Sequence, residues 1–320
     1  MNQINKVVVI KHGALGDMIN AMGAFSSIRS YHNQAHITLI TSKPYEAMAK
    51  KTGFFDTILL DSRDRFYLDF FKVRSTLKSV DRVYDLQNSP RTSLYYLMLR
   101  PGKVPEWCGI APLCDFQQNR PDRENMHAYD RFADQLGLAG VDLKGAKTLY
   151  PDMSWIKKDV SFELPPKSIL LVPGSSRTGQ YKRWSADNYG MLARLILKQG
   201  YTPVLIAGPD DLDAAETIKF LCPDIVDLTL KLDFLEIAAL AHQSIAVVGN
   251  DTGPLHVLAA MKLPTLVLWS NASPPDVYAP KGPHVHVVYQ ENLRDLDLET
   301  VQLRLWSDIL SSPVPKGVHF

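Results

Sequence analysis

Cysteine is scarce and unpatterned. The 320 residues hold three, Cys108, Cys114 and Cys222, an odd number without Cys-x-x-Cys spacing. That argues against a disulfide framework or a zinc motif and fits reduced thiols in a cytoplasmic protein. Charge of either sign is not in excess: 35 Lys and Arg stand against 34 Asp and Glu, a net charge of +1. No whole-protein field exists to hold nucleic acid by counterion release. Long apolar runs are also missing, none approaching the roughly 18 residues that cross a bilayer. The opening apolar run ends in Lys11-His12-Gly13 with no small-residue cleavage site, so no secretory signal is expected.

What is present is the make-up of an ordinary globular chain, 46% apolar and 22% charged, with bulk for two cores. Residues 1–150 carry about 20 basic and about 15 acidic side chains, and residues 151–320 about 15 and about 19, so the halves are oppositely charged and suited to different partners. Residues 6–10 form a β-branched run, followed by a glycine turn and a helical pattern to about residue 29. Strand signals recur at 36–41, 57–60 and 82–86, with helical patterns at 45–50, 66–78 and 93–100. Residues 102–121, rich in Pro and Gly, read as a loop carrying binding surface before a helix at 126–136. A linker with Pro151, Pro165 and Pro166 leads into a second series. Its strands fall at 168–172, 202–207, 225–228, 244–248 and 265–269, and its helices at 186–198, 212–221, 234–242, 255–261 and 298–310. Such alternation predicts an α/β chain with two parallel sheets, each covered by helices on both faces.

Three polar, glycine-containing runs follow predicted strands. The first is Lys11-His12-Gly13-Ala14-Leu15-Gly16-Asp17-Met18, at the strand end where an open α/β sheet places its ligands. Its glycine spacing is not G-x-G-x-x-G, and Asp17 would repel an incoming pyrophosphate, which disfavours a dinucleotide. Asp17 has two readings, a carboxylate favoured by a helix N-terminus or a general base. The second run is Pro173-Gly174-Ser175-Ser176-Arg177-Thr178-Gly179-Gln180-Tyr181-Lys182-Arg183-Trp184. A glycine for close approach, two hydroxyls and the cations Arg177, Lys182 and Arg183 suit a diphosphate, although the spacing is not that of a Walker A loop. A solvated surface loop is the competing reading. The third, Gly249-Asn250-Asp251-Thr252-Gly253-Pro254-Leu255-His256, opens a helix whose N–H groups can receive a pyrophosphate, with Thr252 and His256 as further donors. Alternatively Asp251 or Thr252 caps that helix and His256 is a satisfied half-buried histidine.

These runs, the third extended through Val257-Leu258-Ala259-Ala260, resemble those of the bacterial ADP-heptose:lipopolysaccharide heptosyltransferases of glycosyltransferase family 9, in both halves and in the same order. The resemblance implies a GT-B fold: two doubly wound Rossmann-like domains facing a central cleft. It places an acceptor-binding domain over residues 1–160 and a nucleotide-sugar-binding domain over 161–320, with a terminal helix at about 297–311 returning toward the first. It implies Asp17 as the catalytic aspartate and Lys182 as the lysine on the diphosphate. Ser175 and Ser176 stand as hydroxyl donors, and Asp251, Thr252, Gly253 and His256 as the donor-binding run. The loop Gly208-Pro209-Asp210-Asp211 falls near the ribose and Leu232 near the base.

The implied reaction is an inverting transfer of heptose from ADP-heptose, with Asp17 taking the acceptor proton and Lys182 stabilising the leaving diphosphate. No cofactor is implied, and metal is not expected to be required. The implied acceptor is an acidic glycolipid of the lipopolysaccharide inner core, met at the cytoplasmic face of the inner membrane. The positive first half suits it. Arg63, Arg65, Lys72, Arg74 and Lys78, interleaved with Phe66, Tyr67, Phe70 and Phe71, are candidates for contact with that acceptor or a membrane surface. The competing reading is an amphipathic helix with buried aromatics. Arg91, at another strand end, is a further acceptor candidate. Other classes stay open: a GT-B sugar-nucleotide epimerase, a glycosyltransferase using another nucleotide sugar, an NAD-dependent oxidoreductase, and a non-catalytic sugar-nucleotide binding protein.

Overall fold

A computed structural model describes residues 4–62, 68–100, 102, 104–156, 163–175 and 182–311. The chain divides into two compact units between Trp155 and Ile156. The first holds β1 (Lys6–Ile10), β2 (His36–Thr41), β3 (Thr57–Leu60), β4 (Arg82–Asp85), β5 (Glu106–Gly109) and β6 (Phe116–Gln117), all parallel, in the order β3-β2-β1-β4-β5-β6. Val7, Val8, Val9 and Ile10 are all fully buried, because helices cover both faces of a parallel sheet. On one face Val8, Ile10, Ile40 and Val83 pack with Val73 and Leu77 of the helix Leu68–Lys78 and Tyr95 of the helix Pro90–Leu97.

The second unit repeats the winding with β7 (Ser168–Val172), β8 (Thr202–Leu205), β9 (Val226–Asp227), β10 (Ser244–Asn250), β11 (Thr265–Trp269) and β12 (Val285–Tyr289), in the order β12-β11-β10-β7-β8-β9. Its core joins Ile169, Leu171, Leu205 and Val248 to Tyr189, Leu192 and Ile196 of the helix Ala186–Lys198. The terminal segment Leu298–Arg304 runs on as a π-helical turn, Leu305–Leu310, and buries Val301, Leu305 and Ile309 in this same core.

Three elements differ from expectation. The stretch at 102–121 is not simply a binding loop, since it supplies β5 and β6 at the sheet edge, with Val83 opposite Trp107 and Cys108 opposite Phe116. Strands of four and two residues are too short to show a period. The first helix breaks at Ala21 into Leu15–Asn20 and Met22–Tyr31. The strand β12 was not expected at all. In each sheet the strand order reverses beside the opening strand, between β1 and β4 and between β7 and β10. Ligands of open α/β sheets bind outside the carboxyl ends of strands at such reversals. The three polar runs leave β1, β7 and β10.

Candidate active site

In the first unit, Asp17 is exposed in the opening turn of the helix Leu15–Asn20, and its Oδ2 accepts the backbone N–H of Ala14 at 3.0 Å. The helix-terminus role is therefore real, and the same carboxylate faces solvent. Gly13 has φ +108°, and a Cβ there would lie 2.1 Å from Cε2 of Tyr45, so the turn into this helix requires glycine. Behind it lies a polar layer. Lys11, 6% exposed, donates to the carbonyl of Leu86 at 3.3 Å. Burial lowers its pKa, opposed by the carboxylates of Asp17 and Asp85. His12 Nε2 lies 3.0 Å from Oδ2 of buried Asp61. Arg91 reaches Oδ1 of Asp61 at 3.1 Å and Tyr95 donates to its Oδ2, so Arg91 is built into a clamp at the strand end. Asp85 is fully buried and accepts the N–H groups of Gln87 (3.1 Å) and Asn88 (2.9 Å); desolvation raises its pKa to about 6.

In the second unit, Lys182 Nζ lies 2.7 Å from Oδ2 of Asp251, whose Oδ1 is 3.5 Å from Nε2 of His256. Burial pushes the Asp251 carboxyl upward, but hydrogen bonds to His256 and Lys182 outweigh it, and the net pKa lies below the usual carboxylate value. Asp251 does not cap the helix Gly253–Ala260, and neither does the Thr252 side chain. The N–H groups of Leu255 and His256 already donate to the Thr252 carbonyl, at 3.1 and 3.2 Å. With Pro254 lacking a donor, the helix opening offers an anion at most the N–H groups of Thr252 and Gly253.

Two residues lock the loops around this pair. Asn250, fully buried, donates to the carbonyl of Pro173 at 2.6 Å and accepts from Tyr189 Oη at 3.0 Å and Trp184 N at 3.3 Å, tying the loop after β7 to the end of β10. Arg183 donates to Ser175 Oγ and to the Ser175 carbonyl at 3.0 Å each, and lies 3.0 Å from Oδ1 of Asp211. Its charge is thus committed to loop structure, although its residue type had suggested a diphosphate ligand. A Cβ on Gly174 would come 2.3 Å from Oδ2 of Asp211, which is why the chain is bare there. Ser176 and Arg177, with Arg63, Arg65, Phe66 and Tyr67, lie outside the described residues. A cavity of about 570 Å³ is lined by Arg183, Ser185, Thr217 and Arg294 among others, and by neither Lys182 nor Asp251. Among the described residues no three His, Cys, Asp or Glu side chains group as metal ligands.

The structure brings together Lys182, Asp251 and His256, and separately sets Lys11 within electrostatic reach of Asp17 and Asp85, past the ends of β1 and β4. Asp61, Asp85, Tyr95 and Asn250 were not singled out from sequence. The available signal was a charged or amide residue at the carboxyl end of an apolar strand, the last residue of β4 at Asp85 and of β10 at Asn250 and the one after β3 at Asp61.

Two doubly wound parallel sheets with polar loops at their switch points define an α/β class of ligand-binding enzyme folds, and comparison with known proteins narrows it. The model of glycosyltransferase family 9 (heptosyltransferase) matches residues 70–300. This chain belongs to that family and is a glycosyltransferase. Lipooligosaccharide heptosyltransferase 2 of Haemophilus influenzae is 33% identical over 101 residues, which span 30% of this chain and 29% of that protein. The structure of Escherichia coli ADP-heptose lps heptosyltransferase II superposes with a TM-score of 0.73 at 20% identity, covering 95% of this chain and 98% of that one. Escherichia coli heptosyltransferase WaaC with ADP gives 0.75 at 16% identity, covering 95% and 99%. The fold is therefore α/β of the GT-B type. No helix among the described residues is long and apolar enough to cross a membrane.

Proposed function

We propose that this glycosyltransferase moves heptose from ADP-heptose to an acidic lipopolysaccharide inner-core acceptor, with inversion, at the cytoplasmic face of the inner membrane. The observation that carries the reading is the Lys182–Asp251–His256 cluster at the opening of the helix Gly253–Ala260. A nucleoside diphosphate entering there meets the Lys182 ammonium and the Thr252 and Gly253 N–H groups. These stabilise the charge that grows on the leaving phosphate as the anomeric bond breaks. Ser175 and Ser176 serve as hydroxyl donors in the same loop.

The Asp17 carboxylate takes the proton of the acceptor hydroxyl, a step that contributes about 10²–10⁴-fold. Its exposure and its place at the β1 switch point support the role. Neither a cofactor nor a metal ion is required in this reading, because the cation that offsets the leaving charge comes from Lys182. The donor base follows from the relatives, one of them a heptosyltransferase with ADP bound.

Calorimetric titration with ADP, UDP, GDP and NAD tests the donor half without an acceptor. Selective ADP binding that weakens about 10- to 150-fold in Lys182→Ala is expected, the worth of one charge-assisted hydrogen bond. Preference for UDP or GDP would keep the enzyme class and discard ADP-heptose; binding of NAD alone would overturn the reading.

A further inference from the structure

In the second unit the cavity of about 570 Å³ has the volume of a small-molecule site, yet Lys182 and Asp251 take no part in it. Its lining comes from three places: Ser185 at the start of the helix Ala186–Lys198, Asp213 and Thr217 in the helix Leu212–Leu221, and Arg294 in the short turn Leu293–Asp295. That turn is fixed beside the first helix. The carbonyl of Leu296 accepts from Trp184 Nε1 at 2.7 Å and from Asn188 Nδ2 at 3.3 Å, and Leu293 and Leu296 are buried in the core of the unit.

The polar groups of the lining fall into two sets. Arg183 uses Nε and one terminal nitrogen on Ser175, Asp210 and Asp211, and among the described residues its Nη1 has no partner. Arg294 is exposed, and although its backbone N–H donates to Asn292 Oδ1 at 3.1 Å, its guanidinium makes no hydrogen bond or ion pair among the described residues. Two guanidiniums with unused donors on one cavity suit the oxygens of a phosphate monoester. The second set suits hydroxyl groups. Ser185 Oγ accepts the Asn188 N–H at 3.0 Å and keeps its own hydrogen, Thr217 Oγ1 donates to the Asp213 carbonyl at 3.1 Å and keeps its lone pairs, and the Asp213 carboxylate is an acceptor. A nucleoside is disfavoured, because the aromatic ring in the lining, Trp184, is 2% exposed and packs edge-on against Tyr189, offering no face to a base.

We propose that this cavity is a second ligand site, separate from the Lys182–Asp251 cluster, and that it takes a sugar phosphate: Arg183 and Arg294 bind the phosphate, and Asp213, Ser185 and Thr217 the sugar hydroxyls. Arg183 also holds Ser175 in the loop after β7, so occupancy here and at the donor cluster is linked by a finite factor. Calorimetric titration of the full chain with glucose 6-phosphate, inorganic phosphate and glucose tests the assignment. Glucose 6-phosphate should bind at least about tenfold more tightly than inorganic phosphate, the worth of two hydroxyl hydrogen bonds, and glucose should be weaker still. Arg294→Ala should weaken glucose 6-phosphate about 10- to 150-fold, and Ala214→Glu, which adds a carboxylate to the lining, at least about tenfold, each with unchanged thermal unfolding. Lys182→Ala should bind it as wild type does, and in rising ADP its apparent Kd should reach a plateau. Absence of wild-type binding, equal affinity for inorganic phosphate, or indifference to both cavity variants would overturn the proposal. So would loss of binding in Lys182→Ala or a Kd that climbs in proportion to ADP, since either would place the ligand in the donor cluster. A chain that failed to bind ADP would leave the glucose 6-phosphate titrations intact, so this proposal and the donor reading fail separately.

Discussion

Asp17 holds two roles that one pair of substitutions separates. Its Oδ2 accepts the Ala14 N–H at 3.0 Å, the contact that satisfies the start of the helix Leu15–Asn20, and the proposed chemistry uses the same carboxylate as a base. Asparagine keeps an amide oxygen at that position and has no basic group; alanine has neither. Losing such a terminal contact costs about 1 kcal/mol, which in a unit the size of Met1–Trp155 lowers its Tm by roughly 2–4 °C. Losing a general base costs about 10²–10⁴-fold in turnover. Asp17→Asn should therefore unfold at the wild-type temperature, bind ADP as wild type does, and lose turnover by that factor. Asp17→Ala should lose the same turnover and, in addition, those few degrees. The assay is release of ADP from ADP-heptose in the presence of an inner-core acceptor, alongside calorimetric unfolding. Turnover of Asp17→Asn within tenfold of wild type would refute the base and leave Asp17 as a helix-terminal residue.

Other outcomes follow from the same geometry. Asp85, buried with a pKa of about 6, binds its proton more tightly folded than unfolded, so its contribution to stability is full below about pH 4 and is lost as pH rises through 6. From pH 4 to 7 urea unfolding should show Asp85→Asn gaining about 2 kcal/mol relative to wild type, and parallel pH curves would refute the assignment. Gly174→Ala forces Asp211 away from Arg183 and should cost about 1–3 kcal/mol of stability, read by thermal unfolding, together with weakened ADP binding read by calorimetry; an unaltered variant would show that the loop is not held by that contact. Exhaustive chelation should leave heptosyl transfer unchanged, and activity lost to chelator and restored by Mg²⁺ or Mn²⁺ would show that Lys182 does not suffice for the leaving group.

Most of the fold was legible because parallel strands buried on both faces leave continuous apolar runs. Val7 to Ile10 in β1 and Ile169 to Val172 in β7 are such runs, and the strands His36–Thr41, Thr57–Leu60 and Thr265–Trp269 were read to the residue. The edges were not legible. β5 and β6 rest on Trp107 and Phe116 finding partners across the ladder, a non-local fact that a stretch with Pro and Gly disguises. β12 begins at Val285-His286, only half-buried at the rim of its sheet, where the apolar signal fades. The end of the chain was read as a helix, but its packing on the second core depends on where β10 and β11 lie, which no local pattern contains.

The site was legible to the extent that its residues sit where a strand ends and a helix begins. Asp17, Lys182 and Asp251 could be placed that way, because an open α/β sheet binds its ligands outside the carboxyl ends of strands at a switch point. The distinction between residues that face a ligand and residues that hold the loop was not legible, since both kinds are charged and adjacent. Lys182 and Arg183 are neighbours of the same charge, yet one ends on Asp251 and the other is absorbed by Ser175, Asp210 and Asp211. Arg91 likewise looked like an acceptor contact and is bound to Asp61 and Tyr95. A guanidinium with five donors can satisfy several loop acceptors at once, whereas an ammonium on a flexible stem can exchange one partner for an arriving phosphate. That difference gives the proposed diphosphate role a reason for lysine rather than arginine at residue 182, and under that role Lys182→Arg is conservative in charge but not in function.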